Sequence, residues 1–256
     1  MCLINFRFQQ HETYKLVIAA NRDEFFSRPT QKAHYWEDAP HILAGRDLEK
    51  MGTWLGVTKT GRFAALTNVR DPSEKTEGKR SRGEIVRAFL TGTHSPEAFM
   101  SELQKQRDEY PGFNLLAGTA DELWHYNNRK DELQAVAPGT HSLSNASLNT
   151  LWPKMEKGKN RLDKCLDDAP ADPADCLFTF LQDTDRAPDE ELPNTGVSLE
   201  WERKLSPIFI SGDDYGTRSS SVLLIDQMNH VYFAERTYLQ GSLAAEETFH
   251  FVTESI

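Results

Sequence analysis

A β-strand pattern starts on the second residue of this chain. Cys2-Leu3-Ile4-Asn5-Phe6-Arg7-Phe8 is apolar-rich and aromatic, so the first element is expected to enter a sheet at once. A second apolar run, Leu16-Val17-Ile18-Ala19-Ala20, ends in four polar residues, Asn21-Arg22-Asp23-Glu24, which must leave the sheet or serve a site. Trp54–Thr58 and Phe63–Thr67 flank Lys59-Thr60-Gly61-Arg62, which reads as a hairpin with a glycine turn. A polar loop follows, from Asp71 to Arg80.

Helical signals come next. Ser81-Arg82-Gly83-Glu84 fits a capping box ahead of Ile85, Phe89 and Leu90. Ser95-Pro96-Glu97 places a cap and a first-turn proline before Phe99, Met100 and Leu103. Strands are expected at Phe113–Gly118, Leu123–Tyr126 and Thr140–Ser144, and helices at Pro153–Leu166 and Pro173–Gln182, the latter capped by Asp172. The tail reads as strand at Ile208–Ile210, Ser220–Ile225, Val231–Ala234 and Phe249–Val252, after an acidic, proline-containing and mobile loop from Asp183 to Thr195. With no internal repeat and no linker, the expectation is one α+β domain over residues 1–256, its antiparallel sheets carrying helices on their outer faces.

Composition excludes several function classes. A net charge of −10 disfavours nucleic acid as a partner, because phosphate contacts need clustered Lys and Arg. The short basic stretch Lys79-Arg80-Ser81-Arg82, followed by Glu84, reads as a solvated loop. No apolar run reaches the ~18–20 residues of a membrane span. Three cysteines, Cys2, Cys165 and Cys176, without a CxxC make no disulfide or zinc framework, and Cys165 and Cys176 fall in helix patterns. With Met1-Cys2 leading straight into a strand and no signal peptide, a cytoplasmic setting is expected. There is no CxxCH or HExxH and the eight histidines are scattered, so no metal or cofactor is expected.

Cys2 admits two interpretations. Free cysteine is commonly a small buried hydrophobe on a strand. If Met1 is trimmed, however, Cys2 carries a thiol and a free α-amine. The amine titrates at roughly 7.7–8.0 and the thiol at about 8.5, so the amine can take the thiol proton at a cost of about 1 kcal/mol. Nucleophile and general base then sit on one residue. Three polar residues at predicted strand ends fit such a nucleophile: Asn68, Asn145 and Arg218. Singly, each asparagine reads as a turn residue and Arg218 as a partner of Asp213 or Asp214. Together they supply amide donors and a cation, the groups that a developing oxyanion needs.

In order along the chain, Met1-Cys2, Asn21-Arg22-Asp23-Glu24 with Arg28-Pro29, Thr53-Trp54-Leu55-Gly56 leading to Leu66-Thr67-Asn68, Ser81-Arg82-Gly83, Phe113-Asn114-Leu115-Leu116, Leu143-Ser144-Asn145 and Tyr215 to Ser220 resemble the NRDE family, that of transport and Golgi organisation protein 2. That family in turn resembles the N-terminal nucleophile hydrolases of the bile-salt hydrolase, penicillin V acylase and acid ceramidase type. The resemblance implies a four-layer αββα sandwich and hydrolysis of a small amide or acyl compound without a cofactor. By it Cys2 is the nucleophile, Asn145 an oxyanion donor, Asn68 faces the intermediate, Asp23 holds the α-amine and Arg218 tunes the thiol. Where those hydrolases carry Arg-Asn-x-Asp, this chain has Asn21-Arg22-Asp23-Glu24, which leaves open which of Arg22, Asp23 and Glu24 turns inward. The competing function is a non-catalytic lipid, acyl-CoA or haem carrier, with Cys2 or His141 holding haem. A third is a plain interaction scaffold.

Overall fold

The computed structural model describes residues 2–168 and 172–254, so the expectation of Met1 removal lies outside it. Two antiparallel sheets form the body. The first is built around β1 (Cys2–Phe8) and β2 (Tyr14–Phe25), with β10 (Gly139–Leu143) on one side of them. On the other side follow β11 (Tyr215–Asp226), β12 (His230–Leu239) and β13 (Ser242–Val252), giving the order β10-β1-β2-β11-β12-β13. The second sheet is a meander in sequence order: β3 (Thr30–Tyr35), β4 (Ile42–Asp47), β5 (Leu55–Thr58), β6 (Phe63–Asn68), β7 (Phe113–Gly118), β8 (Leu123–Asn127) and β9 (Glu132–Ala135).

Pleat parity sorts the apolar residues into three layers of core. Ile4, Phe6, Phe8, Leu16 and Ile18 from the first sheet meet Leu43, Leu55, Val57 and Phe63 from the second, which is the inter-sheet core. The outer face of the second sheet packs Ala64, Leu66 and Leu115 on α1 (Gly83–Thr91) and α2 (Pro96–Lys105). The outer face of the first sheet packs Leu3, Val17 and Val222 on α3 (Pro153–Asp168) and α4 (Ala174–Leu181). Helix, sheet, sheet, helix is the four-layer αββα order expected from the resemblance.

Local signals with a complete pattern match the structure. Gly61 takes a positive φ of 79° in the β5–β6 turn, and the Ser95 side chain accepts from the Ala98 amide with Pro96 behind it. Elsewhere the structure corrects the sequence. Asn21 to Glu24 do not leave the sheet but extend β2 to Phe25. Ser81 offers no side-chain cap to α1, whose start follows Arg82. Ile208–Ile210 is buried but not a strand; the Ile208 carbonyl accepts from Asn21 and the Phe209 amide donates to the Asp183 carbonyl. Arg218 and Ser219 lie inside β11. Cys165 and Cys176 form a disulfide across α3 and α4 with Cα atoms 5.6 Å apart, contrary to the expectation of no disulfide. That bond also removes the cysteine-based ground for a reducing compartment. No described helix is long and apolar enough to cross a membrane.

Candidate functional site

The site grows from the ends of β1 and β2. Ile4, Phe6 and Phe8 face the inter-sheet core, so Cys2, two residues earlier, shares that face. On β2, Leu16, Ile18 and Ala20 do the same, which puts Arg22 and Glu24 on the Cys2 side. Cys2 and Arg22 are direct cross-strand partners. Asn21 and Asp23 therefore face the helices. This settles which residues of the tetrapeptide turn toward the cleft: Arg22 and Glu24 do, and Asp23 reaches its edge from behind.

A cavity of about 710 Å³ opens here, lined by Cys2, Arg22, Asp23, Asn68, Arg82 and Arg218 among others. Four of the five residues expected to be catalytic thus share one cleft. The fifth, Asn145, is buried just behind it. Its Nδ2 donates to the Asn68 carbonyl at 2.8 Å. Ser144 Oγ lies 2.9 Å from the Cys2 carbonyl oxygen and 3.2 Å from Asn145 Oδ1, so its single proton serves one or the other. Asn145 is tied directly to Asn68, with Ser144 between it and Cys2, and one of its amide hydrogens is already spent.

Behind the cleft the polar groups are closed into a network. Asn21 Nδ2 donates to the Leu181 and Ile208 carbonyls at 2.8 and 2.9 Å, and Ser220 Oγ donates to Asn21 Oδ1 at 2.6 Å. Thr217 Oγ1 donates to Asp23 Oδ1 at 2.8 Å, and the Tyr215 hydroxyl donates to the Asp23 carbonyl at 3.2 Å. Lys154, on α3, is buried and donates to the Leu205 carbonyl at 3.1 Å.

Burial dominates the electrostatics. It raises the Cys2 thiol pKa, with the Asp23 carboxylate pushing the same way and Arg22 pulling down. It raises Asp23 against the pull of Lys154, Thr217 and Arg22. It pushes Lys154 down to about 8, with Arg70 adding repulsion, so this amine exchanges its proton near neutral pH. Glu235, on the cleft face of β12, is raised to about 7 by burial, although its Oε1 accepts from the Ala33 amide at 2.8 Å.

Two expected roles change. Arg218 sits at a bulge of β11 between Thr217 and Ser219 and clamps the β2–β3 connection. Its guanidinium donates to the Phe25, Phe26 and Arg28 carbonyls and to Thr30 Oγ1. The cations that act electrostatically on the thiol are Arg22, Arg82 and Lys154. His141 does not face the cleft: its Nε2 donates to the Ala137 carbonyl and its Nδ1 accepts from Asn149, both at short range. Among the described residues no cluster of His, Cys, Asp or Glu is arranged to hold a metal.

Sequence reasoning missed Arg82, Lys154 and the buried ion pair of Arg70 with Glu202 at 2.6 Å. Arg82 is not on a solvated loop. Gly52 and Gly83 let two backbones touch, since a Cβ on Gly52 would lie 2.5 Å from the Gly83 carbonyl carbon. That contact brings Arg82 into the cleft, where it donates to the Gly112 carbonyl at 3.1 Å. Its presence in Ser81-Arg82-Gly83 was the available signal.

Known proteins resemble this chain at the level of fold and of family. The crystal structure of a mutant conjugated bile acid hydrolase from Clostridium perfringens covers 100% of this chain and 99% of its own, with a TM-score of 0.48 and 10% identity. The Drosophila melanogaster transport and Golgi organization protein 2 is 29% identical over 93% of this chain and 92% of its own. The homologues from Mus musculus and Homo sapiens are each 34% identical over 97% of both chains. The family model "Transport and Golgi organisation 2" matches residues 1–240. With its motifs in order and its relatives matched end to end, the chain belongs to the Transport and Golgi organisation 2 family.

Proposed function

We propose that this protein is an N-terminal cysteine amidohydrolase acting on a small amide or acyl compound with a lipid-like part, with Cys2 as nucleophile once Met1 is removed. The observation that carries the reading is the setting of Cys2. It is the free cysteine among the described residues, it heads a strand inside the sheet, and it lines a large cleft with Asp23 beside it. A buried structural cysteine needs neither a cavity nor charged neighbours.

The chemistry balances without a cofactor. The α-amine of trimmed Cys2 accepts the thiol proton, and the thiolate sulfur bonds the substrate carbonyl carbon. The tetrahedral oxyanion forms beside Asn68 and the remaining amide hydrogen of Asn145. Collapse breaks the carbon–nitrogen bond, and the α-ammonium returns its proton to the leaving amine. Water then hydrolyses the thioester and restores the thiol. Asp23 and Lys154 set the charge balance around the amine.

A carrier reading has its own support: burial raises the Cys2 thiol, and one Asn145 hydrogen is already donated to Asn68. One set of measurements separates the two. Intact mass should show loss of Met1. Acyl amides and acyl thioesters should acylate Cys2 of the trimmed protein and turn over. Asn145→Ala should cut turnover by about 10²–10³, and Cys2→Ser should cut it further while sparing binding. Trimmed protein that binds acyl compounds yet never acylates at Cys2 is a carrier.

A further inference from the structure

The cleft carries more positive charge than its surroundings allow for. The whole chain has a net charge of −10, yet lysines and arginines outnumber acids along the cleft wall. Many are neutralised: Arg28 pairs with Asp47, Arg46 with Asp38, and Arg80 with Glu84 and Glu109. Arg22, Arg82 and Arg218 are not. Among the described residues none of the three has a carboxylate within ion-pair distance, and the partners of Arg82 and Arg218 are carbonyls and a hydroxyl, which carry no charge.

Two of these guanidiniums, Arg22 and Arg218, repel each other, and two, Arg22 and Arg82, act on the thiol. Arg28 also repels Arg82, while Glu74, Cys2 and Glu24 attract it. Glu24 faces both Arg82 and Arg218, but Glu74 is already paired with Lys79 and Arg129. Asp23 and Glu235, which attract Arg22, are both pushed by burial toward their neutral forms. These acids therefore do not balance three cations held in a partly buried space. Fixed, mutually repelling cations are stabilised by an anion that enters between them, and guanidinium is suited to carboxylate, sulfonate or phosphate through paired N–H groups.

Next to this group lies an apolar shelf. Tyr215 is flanked edge-on by Phe25 at 5.0 Å and Trp201 at 6.2 Å between ring centres. Phe25 and Trp201 are 51% and 40% exposed, so both rings offer free faces. They line a smaller cavity of about 450 Å³ that shares Glu24, Arg28, Asn68 and Arg82 with the main cleft.

We infer that the substrate is an amphiphilic anion, its charged end held by Arg22, Arg82 and Arg218 and its apolar end lying on Phe25 and Trp201. This rests on the amidohydrolase reading for the word substrate. The binding preference stands on the cleft alone, so it is measured where no turnover is possible.

The experiment uses full-length Cys2→Ala protein and three amides of one acyl chain: N-decanoylglycine (anionic), N-decanoylethanolamine (neutral) and the decanoyl amide of trimethylaminoethylamine (cationic). Affinity is read by calorimetry at low and high salt. The glycine conjugate should bind at least about tenfold tighter than the neutral amide, and the cationic amide weakest, with the preference shrinking as salt rises. Arg82→Gln should remove most of the preference and Arg82→Lys should retain part of it. Arg22→Gln, at a partly exposed position, is the second charge-removing variant. N-acetylglycine should bind more weakly than N-decanoylglycine, and Trp201→Ala should narrow that gap. Equal affinity for the three amides, a preference for the cation, or no binding of any would overturn the inference. Wild-type turnover of acyl amides with no charge preference would overturn it and leave the hydrolase reading standing. Anion-selective binding without turnover would do the reverse.

Discussion

The two faces of one tetrapeptide behave as different materials. Asn21 and Asp23 look toward α3 and α4 and are closed into hydrogen bonds with Leu181, Ile208, Ser220 and Thr217. Arg22 and Glu24, alternating with them on the same strand, look into an open cleft beside Cys2. The helix side is a finished polar network whose job is to hold position. The cleft side keeps its charges available for something that is not part of the chain. A strand can serve both ends because its side chains alternate with period two.

That contrast yields graded expectations. The largest effect lies deep on the closed side: Glu202→Ala leaves the Arg70 guanidinium buried without its carboxylate and should destabilise by about 3–5 kcal/mol in denaturant unfolding. A Glu202→Ala variant within about 1 kcal/mol of wild type would show that the network behind the cleft is not rigid. Glu235, the acid buried on the cleft face, gives a pH signature of similar size. Its folded pKa of about 7 lies above its ordinary value of 4.5, so its contribution to stability is present below about 4.5 and is lost as pH rises through 7. Wild type should therefore lose about 3 kcal/mol over that window, and Glu235→Gln should flatten the profile. An unchanged slope in Glu235→Gln would place the titration elsewhere.

Asn21→Ala comes next. It strands the Leu181 and Ile208 carbonyls and the Ser220 hydroxyl in a buried site, a loss of about 2–3 kcal/mol by thermal or chemical melting. The smallest stability effect should be its neighbour's: Arg22→Gln is expected to stay within about 0.5 kcal/mol. Its consequence should appear in chemistry instead. Removing a cation that lowers the Cys2 pKa should slow alkylation of Cys2 at neutral pH. If Arg22→Gln destabilised as much as Asn21→Ala, the division between a closed and an open face would fail.

Much of this fold was legible in the sequence because its signals are local. The Gly61 hairpin, the Ser95–Pro96 helix start and the Phe113–Gly118 strand each depend on a few consecutive residues. The elements that escaped are short or lack apolar periodicity, and β4, though mostly buried, has only Ile42, Leu43 and Ala44 as an apolar run. β9 is an exposed edge strand, β3 buries only Ala33 fully, and α5 (Leu199–Leu205) spans only seven residues. The candidate site was legible as a set of residue types but not as an arrangement. Asn68, Asp23, Arg218 and Cys2 do line one cleft, yet Arg218 was given the electrostatic part that Arg22, Arg82 and Lys154 take.

By itself the sequence determined that a cysteine heads the first strand, that sheets carry helices on their outer faces, and which residue types carry the chemistry. The phase of β2, the placement of Arg82 in the cleft, the Cys165–Cys176 disulfide and the pairing of Arg70 with Glu202 were decided only in three dimensions. Each depends on contacts between segments distant in the chain or on the register between strands. A shift of one residue would have exchanged Arg22 for Asp23 at the cleft with the same amino acids present.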